Sequence, residues 1–329
     1  MRVEFRLRAV HVPDDYGRIA ALYTRIEPSC TVTAEDIREQ DTGIPTEDNL
    51  SSDPGGLLVG HGRERVLAVD VLDHAIGFGT VWRAPWTPPG ALASLFGVDP
   101  AYRRQGVGTA LLTHLESWGR QRKARVLMAE IPDHPTDNLL FVQTRGYAVD
   151  AHVVTSALDL ASSDHGRFDS VIEMVQGTGI RFLTLADDPD GQAESKLYVL
   201  YRDTLRDNPG HVGDLPDFAQ WRTEAIDAST TRKDWVLIAV EGDRYVGVTT
   251  MLPTEEPGIA YTDYTGVDRA YRGYGIALAL KLLSFRAARS AGLSTMTTET
   301  EASNAPMLAV NRKLGYRPGP GRYRIIKQL

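Results

Sequence analysis

Residues 266–281 read GVDRAYRGYGIALALK, and residues 97–112 read GVDPAYRRQGVGTALL. In each, a short apolar run meets a turn crowded with arginine and glycine, and a run of good helix formers follows. Val98 matches Val267, Asp99 matches Asp268, Tyr102 matches Tyr271, Arg103 matches Arg272 and Gly106 matches Gly275. All stand at one offset of about 169 positions, the mark of an internal repeat. The offset holds through Glu130 and Glu299, Gly146 and Gly315, and Tyr147 and Tyr316. A helix start carries unpaired N–H groups and a partial positive charge. Small residues there let a ligand approach the backbone. Such a turn reads as an anion cradle, most often for phosphate. The alternative is a plain strand-to-helix turn, which would not need two copies of this fidelity.

The 329 residues suffice for two domains with separate cores. A net charge of −7 argues against a nucleic-acid partner, which wants a basic surface. The single cysteine, Cys30, forms no internal disulfide, and no zinc spacing is present. The eight histidines are scattered, so neither a metal site nor a Ser/His/Asp triad is expected. The start, MRVEFRLRAVHVPDDYG, alternates like a strand and lacks the apolar core of a signal peptide. No stretch is long and apolar enough to span a bilayer. The expected compartment is the cytoplasm, without membrane association.

The first half reads as a strand at 3–10, helices at 14–26 and 34–40, a polar loop at 41–56, and strands near 65–70, 75–83 and 91–98. A helix runs from the glycine turn to about 122. A strand near 125–131, a helix near 136–145 and the strands of YAVDAHVVTSALDL close the half. The second half repeats this order, with helices at 192–206 and 216–226, strands at 235–240, 244–252 and 259–267, and a helix to about 290. A strand at 294–300, a helix at 304–314 and the terminal YRIIKQL follow. The extra helix FDSVIEMVQ precedes strand 180–185. Trp82, Trp86, Trp221 and Trp235 read as core. This is an α+β pattern of two tandem domains, each a mixed, mostly antiparallel sheet flanked by helices. The boundaries fall at 1–160, 161–177 (linker and extra helix) and 178–329. The glycine turn follows the fourth strand, not the first as in a dinucleotide fold. Neither copy has the Gly-Lys-Ser/Thr of a Walker loop.

The turns Arg103-Arg104-Gln105-Gly106-Val107-Gly108 and Arg272-Gly273-Tyr274-Gly275-Ile276-Ala277 resemble motif A of the GCN5-related N-acetyltransferases, Arg/Gln-x-x-Gly-x-Gly/Ala. TETEASNAPMLAVNRKLGY resembles the family's motif B. The resemblance covers nearly all of both halves and implies acetyl-CoA as acyl donor. By it, backbone N–H groups of the two turns hold the pyrophosphate, and Arg103 or Arg272 adds charge-assisted bonds. Phe96, Gly97 and Val98 in one half, and Thr265, Gly266 and Val267 in the other, lie on strands that splay to pair with the pantetheine arm. Asn304 joins the cofactor residues.

The resemblance also implies a base at Glu299, five residues before Asn304, with Glu130 as its first-half counterpart. The family's tyrosine acid, twelve residues after that Glu, is replaced by Asn311 here and by Val142 in the first half. An amide only hydrogen-bonds, so Asn311 stands beside Glu299 as a catalytic candidate that cannot act as an acid. The first half has Pro135 where the second has Asn304, which points to the C-terminal half for catalysis. Asp207, Asp214, Glu255, Glu256 and Asp263 are candidates to draw a cationic amine. The leading reading is an N-acetyltransferase acting on a small-molecule primary amine, as a pseudo-twofold monomer or a homodimer. A non-catalytic acyl-CoA sensor or scaffold and a protein N-acetyltransferase are the alternatives. Calorimetry with acetyl-CoA is expected to show one or two sites, and Gly106→Glu and Gly275→Glu are each expected to remove one. No binding at millimolar ligand would exclude the cofactor reading.

Overall fold

The computed structural model describes residues 3–28, 32–42, 48–84, 87–162, 166–209, 211 and 215–329, so Cys30, Trp86 and Asp214 lie outside the described residues. The chain divides into two units. The first holds Met1–Ile131, Pro135–Asp150 and Tyr323–Leu329; the second holds Pro132–His134 and Ala151–Arg322.

The elements follow the repeat. The first half gives β1 (Phe5–Ala9), α1 (Tyr16–Ile26), α2 (Ala34–Thr42), a short hairpin of β2 (Ser51–Ser52) and β3 (Leu58–Val59), β4 (Gly62–Asp70), β5 (Ala75–Arg83), β6 (Ala91–Val98), α3 (Val107–Gln121), β7 (Val126–Pro132) and α4 (Asp137–Gln143). Next come β8 (Ala148–Asp159), α5 (Asp169–Gly177), β9 (Ile180–Thr184), α6 (Ala193–Leu205), α7 (Phe218–Trp221), β10 (Val236–Glu241), β11 (Arg244–Pro253) and β12 (Ile259–Val267). The chain ends with α8 (Ile276–Ser290), β13 (Thr295–Glu301), α9 (Ala305–Leu314), β14 (Arg317–Pro318) and β15 (Arg322–Gln328).

The strand order is β1-β4-β5-β6-β7-β15 in the first unit and β8-β13-β12-β11-β10-β9 in the second. β6–β7 and β12–β13 are parallel. The hairpin strands are covered on both faces, which explains their unbroken apolar runs. Val66 and Ala68 pack with Leu111 and Leu115 of α3, whereas Leu67 and Val69 pack with Ile19 and Leu22 of α1. In the second unit Leu237 and Ala239 face α8, and Val236, Ile238 and Val240 face α6.

The halves trade their last strands. β8 follows α4 in sequence but pairs with β13, aligning Thr298 with Ser156 and Glu299 with Thr155. β15 follows α9 but lies beside β7, with the Leu329 N–H donating to the Arg125 carbonyl at 2.9 Å. Leu158 and Leu160 are therefore buried in the second unit's core, and Ile325 in the first unit's, in one cluster with Leu127 and Tyr147. The units do not divide at residue 160, because each sheet takes its final strand from the other half's sequence.

Three other elements depart from the sequence reading. YAVDAHVVTSALDL forms one long strand. The extra helix α5, set apart with the linker in the sequence reading, packs into the second unit's core through Ile172 and Val175. The helix at 216–226 is a single turn, α7, that widens into a π-turn, with the Asp227 N–H reaching the Arg222 carbonyl at 2.9 Å.

Ile325→Ala is expected to destabilise the first unit by about 2–5 kcal/mol, the usual cost of truncating a buried isoleucine. Amide exchange should show β7 losing protection while β12 keeps it. Equal loss in both strands, or in neither, would contradict this placement of β15.

Candidate active site

Both glycine turns have one geometry. Asp99 accepts the Ala101 N–H and Asp268 the Ala270 N–H, each at 2.9 Å, which fixes a short 3₁₀ turn. Arg103 Nε donates to the Val98 carbonyl at 3.2 Å and Arg272 Nε to the Val267 carbonyl at 3.0 Å. Gly106 and Gly275 then cap α3 and α8 in the left-handed region, at φ of 96° and 86°. A Cβ placed on Gly106 or Gly273 would meet nothing within 4 Å, so the approach to the helix N-terminus is open. At Gly275 it would meet Val171 and Met174 of α5 at 3.4 Å, so the extra helix flanks the second turn. Gln105, Val107, Gly108, Tyr274, Ile276 and Ala277 complete these turns and first helical residues. Tyr274 is exposed.

Asp207, expected at the acceptor rim, instead holds this turn. Arg269 and Arg272 both bind its carboxylate, the latter at 2.6 Å. Arg269 first, and then Arg272, keep the carboxyl below the usual range.

Each parallel strand pair ends early. β12 pairs with β13 from Ile259–Thr295 to Thr262–Thr298, and β6 with β7 from Ala91–Val126 to Ser94–Ala129. Beyond these pairs the strands part. Thr265, Gly266 and Val267, and Phe96, Gly97 and Val98, all lie in the parted segments. Thr265 Oγ1 meets Thr249 Oγ1 at 2.8 Å, and the Phe96 ring lies 6.3 Å from that of Phe141. The two glycines also admit a helix. A Cβ on Gly266 would sit 2.6 Å from Thr204 Oγ1 of α6, and one on Gly97 would sit 2.7 Å from Ile26 Cδ1 of α1.

The second unit adds a bulge at the point of parting. The β11–β12 register passes from Thr250–Tyr264 to Met251–Thr262 and leaves Asp263 as the extra residue. Asp263 and Tyr264 therefore both line a cavity of ≈ 230 Å³ between this sheet face and helices α6 and α7. Tyr201, Trp221, Glu224 and Thr250 also line it. Tyr264 donates its hydroxyl to Thr204 Oγ1 at 2.8 Å, and its ring lies 4.9 Å from that of Tyr201, tilted by 55°. Trp221 is buried, as is Trp235, whereas Trp82 is half-buried.

Asp263 makes no hydrogen bond or ion pair with any described residue. Asp263 is exposed at its outer edge, yet protein crowds the inner side of its carboxylate, and this partial desolvation holds the carboxyl above its ordinary range. Tyr261 lies beside it: burial first, then the charges of Glu299 and Asp263, push that phenol up to about 12. Glu299 is engaged by the Arg322 guanidinium, Nη2 to Oε2 at 2.7 Å, and accepts from the Thr155 hydroxyl at 3.4 Å.

The remaining expected residues scatter. Glu255 and Glu256 are exposed at the β11–β12 hairpin and do not line the cavity. Asn304 caps α9, its Oδ1 accepting the Met307 N–H at 3.3 Å. Asn311 is buried, bound to Lys281 Nζ at 2.9 Å and to Thr300 Oγ1 at 3.1 Å. Sequence reasoning missed Lys281 and Glu224. The signal for Lys281 was a lysine inside the apolar run ALALKLL, where the first half has Leu112. Glu224 gave none, because its place depends on the π-turn after α7.

The first unit lacks the bulge. Its β5–β6 register runs unbroken from Gly77–Val98 to Trp82–Ala93. Ser94 stands where the second unit has Asp263, and its hydroxyl donates to the Met128 carbonyl at 3.0 Å.

Residues 20–147 and 195–316 each match the model of the Acetyltransferase (GNAT) family. The chain belongs to that family. Its GNAT units match mycothiol acetyltransferases of Corynebacterium glutamicum at 26% identity over 231 residues, 67% of this chain and 70% of the relative. One from Corynebacterium efficiens matches at 27% over 230 residues, 67% of this chain and 69% of the relative. A GCN5-related N-acetyltransferase from Sphaerobacter thermophilus superposes with a TM-score of 0.71 at 22% identity, over 98% of this chain and 95% of that one. A tandem GNAT protein from the clavulanic acid biosynthesis pathway does so with a TM-score of 0.61 at 17% identity, over 99% and 98%. Tandem GNAT architecture and acyl-transfer chemistry follow from the family. Among the described residues no helix is long and apolar enough to cross a membrane, and no three His, Cys, Asp or Glu side chains group as a metal site.

Because crowding by neighbouring protein raises the Asp263 carboxyl although its outer edge is exposed, its ionisation favours the unfolded chain by a margin that solvent screening keeps small. The stability it contributes is full below the unfolded value near 3.8 and is lost as pH rises through the higher folded value. Asp263→Asn is expected to melt higher than the unmutated protein at pH 7, with the gap closing toward pH 3. A lower melting temperature at pH 7 would contradict an unpaired, desolvated carboxylate.

Proposed function

We propose that the protein transfers an acetyl group from acetyl-CoA to a primary amine of a small molecule, and that the second unit performs the reaction. The observation that carries this reading is the bulge. It sets an unpaired carboxylate, Asp263, directly after Thr262, the last β12 residue joined to β13, and facing the cavity. The parted strands and the acceptor cavity therefore meet at one residue.

The donor supplies an activated acyl thioester. The residues present fit it: an open left-handed glycine turn at the start of α8 for the pyrophosphate, and the parted edge of Thr265, Gly266 and Val267 for the arm. An ammonium entering the cavity would meet the Asp263 carboxylate, whose charge is poorly solvated and unpaired. A cation offsets that desolvation, so the site favours a charged amine over a neutral group of the same shape. A carboxyl raised above its ordinary range is also a better proton acceptor, so Asp263 takes the proton that the amine must lose. Tyr201, Trp221 and Tyr264 give the wall an apolar surface. A cavity of ≈ 230 Å³ suits a small amine rather than a folded protein's terminus. The relatives' name, mycothiol acetyltransferase, supports acetyl as the group transferred.

Glu299 sits near Tyr261 on the same side but is occupied by Arg322, so we assign it the arrangement of that wall and Asp263 the proton. The first unit keeps the glycine turn but has Ser94 and an unbroken register, and we infer that it binds the cofactor without turnover. Asp263→Asn is expected to lower kcat ~100- to 10,000-fold, the usual worth of a general base. Glu299→Gln should cost less. The reverse order would return the proton to Glu299, and silence of both would remove general-base catalysis from this unit.

A further inference from the structure

Beneath the parted strands the second unit buries a polar chain that the first unit lacks. Lys281 on α8 is 1% exposed. Its Nζ donates to Asn311 Oδ1 at 2.9 Å, and Asn311 Nδ2 donates to Thr300 Oγ1 at 3.1 Å. The Tyr316 ring lies 5.0 Å from the amine. At the corresponding positions the first unit has Leu112, Val142 and Ile131, all buried. The fold therefore accepts an apolar filling here, and the polar chain is not a requirement of packing.

The ammonium has no counter-charge. Nothing but desolvation moves its ionisation, which it pulls down to about 7. From α9 it faces the neutral amide of Asn311. From β12 and β13 come the hydroxyls of Thr262 and Thr300, and after α9 comes the Tyr316 phenol, kept neutral by burial and 3.4 Å from Thr262 Oγ1. A buried cation among neutral groups costs stability unless something else uses it.

The chain has a direction. An ammonium only donates, so the amide must turn its oxygen to Lys281 and its N–H to Thr300. Thr300 Oγ1 then accepts, and its own hydrogen is left to donate onward. Thr300 lies two residues beyond Thr298, the last β13 residue paired with β12, so it stands in the wall of the gap. Aligned in this way, the bonds polarise one another toward a positive end at that hydroxyl.

We propose that Lys281 and Asn311 are positioning residues that fix the Thr300 hydroxyl as a hydrogen-bond donor to the sulfur leaving the acyl group in the gap between β12 and β13. This rests on the reading that acyl-CoA enters that gap. In the transfer the amine nitrogen bonds to the thioester carbon, the C–S bond breaks, and sulfur keeps the electron pair as thiolate. The entering ammonium gives one proton to Asp263 before attack, and the nitrogen gives its second to solvent as the amide forms. Thr300 lends a hydrogen bond and gives up no proton.

The test uses CoA itself as the probe, bound to full-length protein carrying Gly106→Glu so that the second unit is read. Thiolate absorbance near 240 nm is followed against pH, and CoA affinity by calorimetry. Bound thiol is expected to ionise at lower pH than the thiol of free CoA measured in the same buffer. Lys281→Met and Thr300→Val should each return it toward the free thiol with CoA affinity held within about twofold. In steady state each should lower kcat by up to ~100- to 1,000-fold, the range for losing a preorganised donor, without raising KM for acetyl-CoA. Lys281→Met should also melt higher, which a purely structural lysine would not do. Thr300→Val keeps the volume and leaves Lys281 in place, so it decides the matter if the lysine variant fails to fold. CoA that binds but ionises alike in parent and variants overturns the relay alone. No CoA binding by the parent protein overturns the cofactor reading with it.

Discussion

Four residue pairs join β12 to β13, and then the parallel pairing stops. The rest of the second unit is arranged around that stop. A strand edge left without a partner must find hydrogen bonds elsewhere, because unpaired backbone groups are costly once water is excluded. The glycine turn after β12 sets the helix N-terminus of α8 at the end of the same opening, and the bulge at Asp263 turns one carboxylate toward the cavity where the opening begins. An anion cradle, a free strand edge and a concave wall thus come from one strand and the turn that follows it.

The two units share a backbone plan and differ in what fills it. In the first, Ser94 satisfies itself on a neighbouring carbonyl, and Leu112, Val142 and Ile131 close the core beneath the strands. In the second, Asp263 is left unpaired and Lys281 is buried among neutral groups. The aspartate leaves a charge without a partner at the surface of a cavity, and the lysine opposes folding. Their occurrence together, on the two sides of one opening in one unit, separates a unit built for packing from one that gives up stability at a site. The buried lysine and the cavity carboxylate lie on opposite faces of the sheet, so neither charge neutralises the other.

The traded strands constrain the chain in another way. β8 and β15 each complete a sheet that the rest of their own half does not build. β8 lies beside the parallel pair β12–β13, and β15 beside β6–β7. Neither half of the sequence therefore holds a finished sheet.

Much was legible in the sequence. The repeat, the α+β order and both glycine turns follow from local patterns: apolar period, turn chemistry, and glycine where the backbone takes positive φ. Asn311 was marked as a residue unable to act as an acid, and it is found as a buried hydrogen-bonding link. What stayed hidden depends on register and long-range pairing. Asp207 looked like a loop acid, yet it clamps Arg269 and Arg272, which lie far along the chain. Glu299 stood as the base by resemblance, yet Arg322, which follows α9, holds it. A one-residue shift between β11 and β12 gave Asp263 its position, and no single strand's sequence records a shift between two. Local sequence determines which segments become strands, helices and turns, because those choices rest on neighbours a few residues apart. Tertiary structure alone decided which strand pairs with which, and so which charges are paired and which stand unpaired at the site, because burial and Coulomb interactions depend on distance in space.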